Sequence, residues 1–523
     1  MHTSEIIVLL FGVVVASVLM ARKVALPYPI VLVLVGLVLS FIPHLPEVKL
    51  DPNTVFNFFL PPLLYPASLF TSWRDFRRDL RAILSLAIGL VLFTMLLVGG
   101  VTHWLIPEIP WSAAFALGAI VSPPDAVAAT SVIKRLPVPR RIVSILEGES
   151  LVNDATALVA LRFAIAATTI GHFSLGQACL QFLWAATGGI GIGLLLGWIV
   201  RSVHRRLDDP PVQITISLLT PFLAYLPAER LHASGVLAVV TAGIYLGWHS
   251  PLIVSPRYRL KAYAFWEIVV FLLNGFVFIT IGLQLPTIVG SIRYESLASP
   301  MENAAVICVS VVLVRIAWVF SAAYLPYLFT RDPESLPPWG NVAVIAWAGM
   351  RGVISLAAAF ALPFVLADGH PFPGRNYILF ITFCVILTTL VLQGLTLPVV
   401  IRRLCLRSDG STAEEERIAR LDANKAAITL LEQLAKNDEF TGEAIDRLRG
   451  EYAERIQQLE QCGENPEECR GEMATPQHQR LQQRALDAER DTIIRLRNQQ
   501  VINDDALRRI QRDLDLAEAR LIS

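Results

Sequence analysis

Acidic side chains that could carry ions lie inside two otherwise apolar segments of the sequence. Residues 147–156 read EGESLVNDAT and contain Glu149, Asn153 and Asp154, and the earlier segment ALGAIVSPPDAVAATSV contains Asp125. An ionisable group at mid-membrane depth costs at least ~2.5–3.5 kcal/mol on insertion scales, so it is a functional candidate. A carboxylate in low dielectric can hold either a proton or a small hard cation that prefers oxygen ligands. Asp154, deep in its segment, therefore has the minimal chemistry of an antiporter.

Helical spacing sorts the polar residues of this segment. Glu149 and Asn153 are four residues apart and share one face, whereas Ser150 and Asp154 share the adjacent face. Glu147 lies near the end of the apolar run, where we expect it to snorkel or cap the helix. The other charges that lie deep in apolar segments are Arg162, Glu267, Arg315 and Arg351. The sequence alone names no partner for Arg315.

The elements that must position these residues are membrane-spanning helices. The chain has 523 residues, of which 54% are hydrophobic and only 17% charged, and its mean hydropathy of +0.55 is far too apolar for a soluble globular protein of this length. The six cysteines are scattered and predict neither a disulfide framework nor a zinc site. No cofactor and no nucleic-acid partner is indicated. The N-terminal apolar run lacks a preceding basic region, so we expect a first spanning helix there rather than a cleaved signal.

Thirteen apolar segments are long enough to cross ~30 Å of hydrocarbon. The loops that fall on one side carry twenty Lys and Arg residues, against four on the other side, Lys49, Arg230, Arg293 and Arg375. Under the positive-inside rule this places the N-terminus outside and the C-terminus in the cytoplasm. The expected spans are 5–21, 24–42, 54–70, 82–102, 111–133, 142–167, 177–200, 211–227, 234–248, 262–285, 303–329, 339–366 and 376–401.

Two of these spans contain helix breakers near their centres. The fifth carries residues 122–125, Ser-Pro-Pro-Asp, and the twelfth carries residues 349–352, Gly-Met-Arg-Gly. Adjacent prolines remove two N–H donors and disfavour helix in the residues before them. If spans 1–6 and 8–13 form an inverted repeat, the two broken helices are repeat mates and cross at the midplane, where transporters build ion sites. We therefore expect an all-α membrane protein with six-helix inverted repeats and crossed broken helices.

A second region of different character begins near Ser408. Residues 408–523 hold 17 Lys and Arg against 25 Asp and Glu, whereas residues 1–407 hold 27 against 19. Leu and Ile recur every three or four residues among opposite charges, and Ser411 or Thr412 is a candidate N-cap, so we expect cytoplasmic helices. Two interpretations stay open for this tail: a solvated helical hairpin or small bundle without specific function, or a regulatory or dimer-stabilising module whose ligand is unknown.

Four motifs carry a family resemblance. VSPPDAVAAT, LEGESLVNDAT, AGMRGVISL and the segment 58–68, FFLPPLLYPAS, resemble the bacterial NhaP-like members of the monovalent cation:proton antiporter-1 family. The resemblance covers residues 1 to about 405. It implies a homodimer in the bacterial inner membrane, in which each protomer has a dimerisation domain and a mobile core domain that moves by elevator-like alternating access. It also implies exchange of protons for Na⁺, with Li⁺ or K⁺ as further candidates, and a role in pH homeostasis.

The same resemblance implies roles for individual residues. Asp154 matches the ion- and proton-binding aspartate, at which Na⁺ would bind, Asn153 the asparagine before it, and Ser150 a hydroxyl ligand. Asp125 matches an acid that orders the site by bonding to that asparagine. Glu149 and Arg351 match a buried ion pair, and Arg315 could pair similarly. The Asn-Asp pair further implies electroneutral exchange of one proton for one cation.

One position departs from the family pattern. Pro124 stands where many relatives have a threonine ligand, so we expect Ser122, a backbone carbonyl or water in its place.

Other classes of protein remain to be weighed. An intramembrane aspartyl protease could use Asp125 and Asp154 as a dyad, but the Gly-x-Gly-Asp motif of that class is missing around both, so we expect no enzyme. A cation uniporter, a channel or an organic-solute carrier of similar fold is the main alternative. A sensor or scaffold built on an inactive transporter is a third, which the intact Asp154 argues against.

Overall fold

The computed structural model of the chain is built from α-helices. It describes residues 3–24, 26–42, 51–133, 136–170, 175–290, 298–330, 336–366, 369–404, 406, 411–435, 442–461 and scattered residues beyond 461. The chain divides into two compact units, residues 1–407 and 408–523, which are described separately. Six of the loop cations used for orientation, Lys49, Lys134, Arg135, Arg293, Arg331 and Arg407, lie outside the described residues, as do Cys405, Cys462 and Cys469.

The described N-terminal part of the first unit contains nine α-helices and two π-helical turns. Proline inside a helix removes a hydrogen bond from its ladder, and the π-helical turn Val55–Phe59 lies directly before the proline-rich stretch of the third expected span. A second π-helical turn, Ser85–Leu90, interrupts the fourth. The helices are Thr3–Val24 (α1), Tyr28–Leu39 (α2), Pro52–Thr54 (α3), Leu60–Leu69 (α4), Trp73–Arg78 (α5), Leu80–Leu84 (α6), Val91–Leu105 (α7), Trp111–Val121 (α8) and Ala126–Ile133 (α9).

The remainder of the first unit contains longer helices followed by a second interrupted pair. The helices are Arg140–Ile170 (α10), Leu175–His204 (α11), Pro210–Arg230 (α12), Gly235–Ile253 (α13), Pro256–Leu283 (α14), Leu285–Gly290 (α15), Ala298–Thr330 (α16), Trp339–Trp347 (α17), Val353–Phe360 (α18), Arg375–Thr388 (α19) and Gly394–Arg403 (α20). A π-helical turn, Thr389–Gln393, joins the last two.

Nine helical stretches in the described part of the chain are long and apolar enough to cross a membrane. They coincide with nine of the thirteen expected spans. The other four are covered by α1, by the short apolar helix α2, by the proline-bearing stretch Leu60–Leu69 after its π-helical turn, and by the α17 and α18 pair. The chain is therefore an all-α protein with several membrane-spanning helices.

Both expected helix breaks are present. α8 ends at Val121 and α9 begins at Ala126, while α17 ends at Trp347 and α18 begins at Val353. The two non-helical stretches contact each other: the backbone N–H of Asp125 donates to the carbonyl of Met350 at 2.6 Å. Proline in one stretch and glycine in the other leave peptide groups outside any helix ladder, and those groups then bond across the junction.

Two hydrophobic clusters form the interior of this unit. The larger cluster gathers residues of α7–α9, α16 and α19, among them Leu117 and Ile381. The smaller gathers residues of α4, α12 and α13, among them Tyr65 and Val239. α10 contributes to both, with Ile145 in the larger and Leu151 in the smaller. The helix that carries EGESLVNDAT thus lies between the two clusters.

The second unit contains two described helices, Ser411–Ala435 (α21) and Gly442–Gln461 (α22). They contact each other through the Arg417 guanidinium, which donates to the carbonyl of Leu459 at 3.3 Å, and through the exposed pair of Lys425 with Glu460. The loop expected after residue 461 lies outside the described residues, and of the two further expected helices only scattered residues are described.

Candidate ion-binding site

Asp154 lies on the inner face of α10 with its carboxylate enclosed. The residue is 2% exposed, and within the described structure its Oδ2 atom has no hydrogen-bond partner. Asn153 is completely buried beside it and also keeps an unpartnered oxygen, Oδ1. Buried polar atoms are nearly always paired with protein, water or a ligand. Each of these adjacent residues therefore keeps one buried oxygen available to a ligand, and oxygen is the ligand atom that small hard cations prefer.

The amide of Asn153 connects α10 to the first helix break. Its Nδ2 donates to the carbonyl of Pro124 at 3.1 Å. The expected bond from Asn153 to the Asp125 carboxylate is therefore replaced by a bond one residue earlier. The physical reason is that the break frees the Pro124 carbonyl from any helix ladder, so this carbonyl needs a donor.

Asp125 begins the second half of the broken helix. Its Oδ1 accepts the backbone N–H of Val127 at 2.9 Å, which is the bond of an N-cap residue. The carboxylate is only partly buried, and it lies close enough to Asp154 for their charges to interact. A Cβ added at Gly352 would overlap the Asp125 carboxylate, so the second break approaches this acid through a glycine. Asp125 is held in place by both broken helices.

The buried ion pair of the site joins Glu149 to Arg315 on α16. Arg315 Nη1 and Nη2 lie 2.6 and 2.9 Å from the two carboxylate oxygens of Glu149, and the two side chains are 1% and 0% exposed. The expected pairing of Glu149 with Arg351 is therefore wrong. Arg315 also donates to the carbonyl of Ile345, near the end of α17. The Arg315 guanidinium thus ties α10, α16 and α17 together. Its two N–H groups face the two oxygens of one carboxylate, and this bidentate geometry makes the hydrogen bonds of an arginine–carboxylate pair strong.

Arg351 has a different set of partners. Its Nε donates to the carbonyl of Val121 at 3.0 Å and its Nη1 to the carbonyl of Gly349, so it satisfies carbonyls at the ends of both interrupted helices. It remains close enough to Glu149 and Arg315 for their charges to act on it. A Cβ at Gly349 would come within 2.7 Å of Arg315 Nε, so this glycine lets the two arginines approach. Arg351 thus holds the two broken helices together where they cross.

The two candidate hydroxyl ligands differ in their surroundings. Ser122 is fully buried, and its Oγ donates to the carbonyl of Ala119 at 2.8 Å, so only its oxygen lone pairs are left for an ion. Ser150 is partly buried, one helical turn before Asp154. Of the other acids considered, Glu147 is partly buried two turns before Asp154, whereas Glu267 is exposed on α14.

Several further charges make specific pairs. Asp75 and Asp79, both buried, bind Arg140 and Arg141 at 2.8 Å each, and so tie the start of α10 to α5 and α6. Arg162 pairs with Glu229, whose other oxygen accepts the N–H of Gly235 at 3.1 Å. The sequence signal for the pairs made by Asp75 and Asp79 was the presence of acids within a basic loop. A count of basic residues alone does not register that signal.

This arrangement defines the class of the protein: it is that of membrane transporters whose ion site lies where two broken helices cross. Buried carboxylates, an unneutralised oxygen pair and freed backbone carbonyls at the crossing are the features of such sites.

The chain belongs to the sodium/hydrogen exchanger family, whose transmembrane model matches residues 6–403. It is 36% identical to an uncharacterized Na⁺/H⁺ exchanger of Mycobacterium tuberculosis over 99% of this chain and 96% of that protein. It is 36% identical to a sodium, potassium, lithium and rubidium/H⁺ antiporter of Bacillus subtilis over 72% of this chain and 58% of that protein. The NhaP-like resemblance is confirmed, and the family is one of transporters, not enzymes.

A solved structure supports the fold. The chain matches the sodium proton antiporter MjNhaP1 from Methanocaldococcus jannaschii with a TM-score of 0.59, at 20% identity, over 76% of this chain and 97% of that one.

Proposed function

We propose that this protein exchanges protons for monovalent cations across the membrane and that Asp154 is the group they share. Membership of the sodium/hydrogen exchanger family supports the exchange of Na⁺ and H⁺. The observation that carries the assignment to Asp154 is its buried carboxylate with an unpartnered oxygen, beside the unpartnered Oδ1 of Asn153. Glu149, the other buried acid of α10, is already neutralised by Arg315. Asp154 is therefore the buried acid on α10 that remains available to bind either ligand.

The surrounding residues hold this site open and supply further oxygens. Asn153 fixes the Pro124 carbonyl, and Asp125 contributes a second carboxylate within electrostatic range of Asp154. Hard cations favour carboxylate, carbonyl and hydroxyl oxygens, so Asp154, Asn153, Asp125 and Ser150 form the proposed ligand set for Na⁺, with Ser122 as support. Glu149, Arg315 and Arg351 act by fixing α10 against the crossed breaks.

Transport in proteoliposomes tests the assignment. The purified protein is reconstituted, and the change of internal pH driven by Na⁺, Li⁺ or K⁺ is measured across a range of pH. Asp154→Asn removes the group that exchanges ligands, so we expect loss of cation-driven pH change. Glu267→Gln serves as the matched control, because it neutralises an exposed acid in another span. Unaltered exchange by Asp154→Asn would overturn the assignment.

We further propose that the exchange is electroneutral, with one proton for one cation. The rate of Na⁺-driven pH change should then be the same with and without a membrane potential imposed by a potassium gradient and valinomycin, measured with Na⁺ as the cation. A rate that follows the imposed potential would contradict this stoichiometry.

The larger-scale architecture is also proposed on the family resemblance. It comprises thirteen spans, an inverted repeat, a homodimer in the bacterial inner membrane, an external N-terminus and elevator-like movement of a core domain against a dimerisation domain. The two hydrophobic clusters that meet along α10 support two bodies of this kind. A cysteine placed at residue 430 should react with a membrane-impermeant reagent in inside-out vesicles and be protected in intact cells. The opposite pattern would overturn the orientation.

The unit formed by residues 408–523 is proposed to be a cytoplasmic module that tunes transport or steadies the dimer. Removal of residues 408–523 should shift the pH dependence of exchange or weaken the dimer, as read by proteoliposome assay and by native mass spectrometry. If both measurements are unchanged, the tail is a solvated appendage.

A further inference from the structure

A long apolar cleft opens beside α10, on the side of the smaller hydrophobic cluster. Its volume is about 570 Å³, within the range of sites that enclose small organic ligands. It is lined by residues of α5, α6, α10, α11 and α13, including Leu84, Val152, Ile190 and Val240, and by the π-helical turn that follows α6. Among the described residues, the lining carries hydroxyl groups but no acid and no base. The apolar lining of the cleft therefore suits a hydrocarbon and not an ion.

The shape of the cleft fits an extended chain. Its lining on α13 runs from Ser234 to Trp248, which at 1.5 Å per residue corresponds to about 20 Å of helix. Ile190, Leu194 and Trp248 at its rim are 42%, 45% and 59% exposed, so the cleft opens sideways, toward the surrounding lipid. Most of the hydrocarbon thickness of ~30 Å is therefore spanned by one continuous apolar surface.

One end of the cleft is lined by aromatic side chains and lies beside an arginine. Trp73, Tyr245 and Trp248 line this end, and tryptophan and tyrosine favour the interface between hydrocarbon and headgroups. Just beyond it, Arg201 Nη1 donates to the hydroxyl of Tyr245 at 3.0 Å. Arg201 as a whole is only partly buried. A partly exposed guanidinium that is held in place by a tyrosine hydroxyl is suited to binding a phosphate oxygen.

We propose that this cleft binds a phospholipid, with one acyl chain along α13 and its phosphate at Arg201. The apolar length accounts for the chain, and the partly exposed guanidinium of Arg201 accounts for an anionic headgroup at this end. A hydrocarbon chain conforms to the irregular walls left between α10, α11 and α13. The lipid occupies a surface distinct from the ion site, which lies on the other side of α10.

Lipid binding to the full-length protein tests this proposal. Delipidated protein in detergent is titrated with phosphatidylglycerol, and the bound lipid is counted by native mass spectrometry while thermal unfolding is followed in parallel. Ala186→Phe places a ring in the cleft, whereas Thr187→Phe places the same ring at the exposed neighbouring position outside it. We expect Ala186→Phe to lose one bound lipid per chain and Thr187→Phe to retain it.

A second pair of variants tests the headgroup contact. Arg201→Gln should weaken phosphatidylglycerol binding by about tenfold, the effect of one charge-assisted hydrogen bond, while Arg205→Gln, an exposed arginine of the same region, should leave it unchanged. Inorganic phosphate alone should not stabilise the protein, because most of the contact is with the chain. Equal weakening by both arginine variants, full stabilisation by phosphate, or normal lipid binding by Ala186→Phe would each overturn the proposal.

Discussion

Breaking the ion pair between Glu149 and Arg315 should destabilise the membrane unit strongly. The two side chains are buried and joined by two hydrogen bonds of 2.6 and 2.9 Å. Removal of one partner from such a pair typically costs ~3–5 kcal/mol, because the other charge is left buried without compensation. Since 1 kcal/mol shifts the melting temperature by roughly 2–4 °C in domains of 150–250 residues and by less in larger ones, Glu149→Gln should lower it by on the order of 5 °C.

A double-mutant cycle identifies the partner and removes the ambiguity of a single variant. Glu149→Gln, Arg315→Gln and the double variant are compared by thermal unfolding in detergent, and the cycle is repeated with Arg351→Gln. The stability lost by the double variant of Glu149 and Arg315 should be well below the sum of the stabilities lost by the two single variants, because each single variant breaks the same contact.

The coupling of Glu149 to Arg351 should be smaller than its coupling to Arg315, since Arg351 hydrogen-bonds to the carbonyls of Val121 and Gly349 and acts on Glu149 only through its charge. A larger coupling of Glu149 to Arg351 than to Arg315 would refute the pairing. As a further comparison, Glu149→Gln should destabilise the protein more than Asp154→Asn does, and the reverse order would show that Asp154 is the structural acid.

Three smaller perturbations follow from other contacts. Gly352→Ala should reduce exchange several-fold in proteoliposomes, because its Cβ would come within 2.6 Å of the Asp125 Cγ, whereas Gly191→Ala, with open space around it, should not. Ser234→Ala should lower the free energy of unfolding by about 1 kcal/mol through loss of the cap that accepts the N–H of Leu237, and an unchanged melting curve would contradict that role. Asp79→Asn should destabilise by about 1 kcal/mol, since its arginine partners are half exposed, and the exposed Asp208→Asn is the control.

The parts of the fold that follow from local chemistry were predictable from sequence. Pro123 and Pro124 cannot donate to a helix ladder, and Gly349 with Gly352 weakens another, so both breaks were expected where they occur. The approximate helix positions followed from long apolar runs for the same reason. Site candidates came from the cost of burying charge, which singled out Asp154 without any knowledge of its neighbours.

The pairing of charges could not be predicted in this way. Arg315 and Arg351 both lie deep in apolar segments, and nothing in their local sequence ranks one above the other as the partner of Glu149. The choice depends on where α16 passes α10 and on the approach that Gly349 allows, which are properties of the packed helices. The same limit applies to Asn153: its spacing predicts its face, whereas the acceptor it reaches depends on which carbonyl the broken helix leaves free.

The balance of charge at the crossing supports exchange of one proton for one cation. Counted as formal charges, Arg315 and Arg351 supply two positive charges, and Glu149, Asp125 and Asp154 supply three negative charges when ionised, so a fully ionised, empty cluster has a net charge of −1. One Na⁺ or one proton brings the cluster to neutrality. An empty site, or a site holding both ligands, leaves a net charge in a low-dielectric interior, where uncompensated charge is costly. Under the proposed mechanism, the two singly loaded states are the ones expected to cross the hydrocarbon, and this condition would couple the two fluxes. Arg351→Gln would leave the singly loaded cluster with a net charge of −1, so Na⁺-driven pH change in proteoliposomes should fall even where the fold survives. Unchanged exchange by this variant would contradict the charge count.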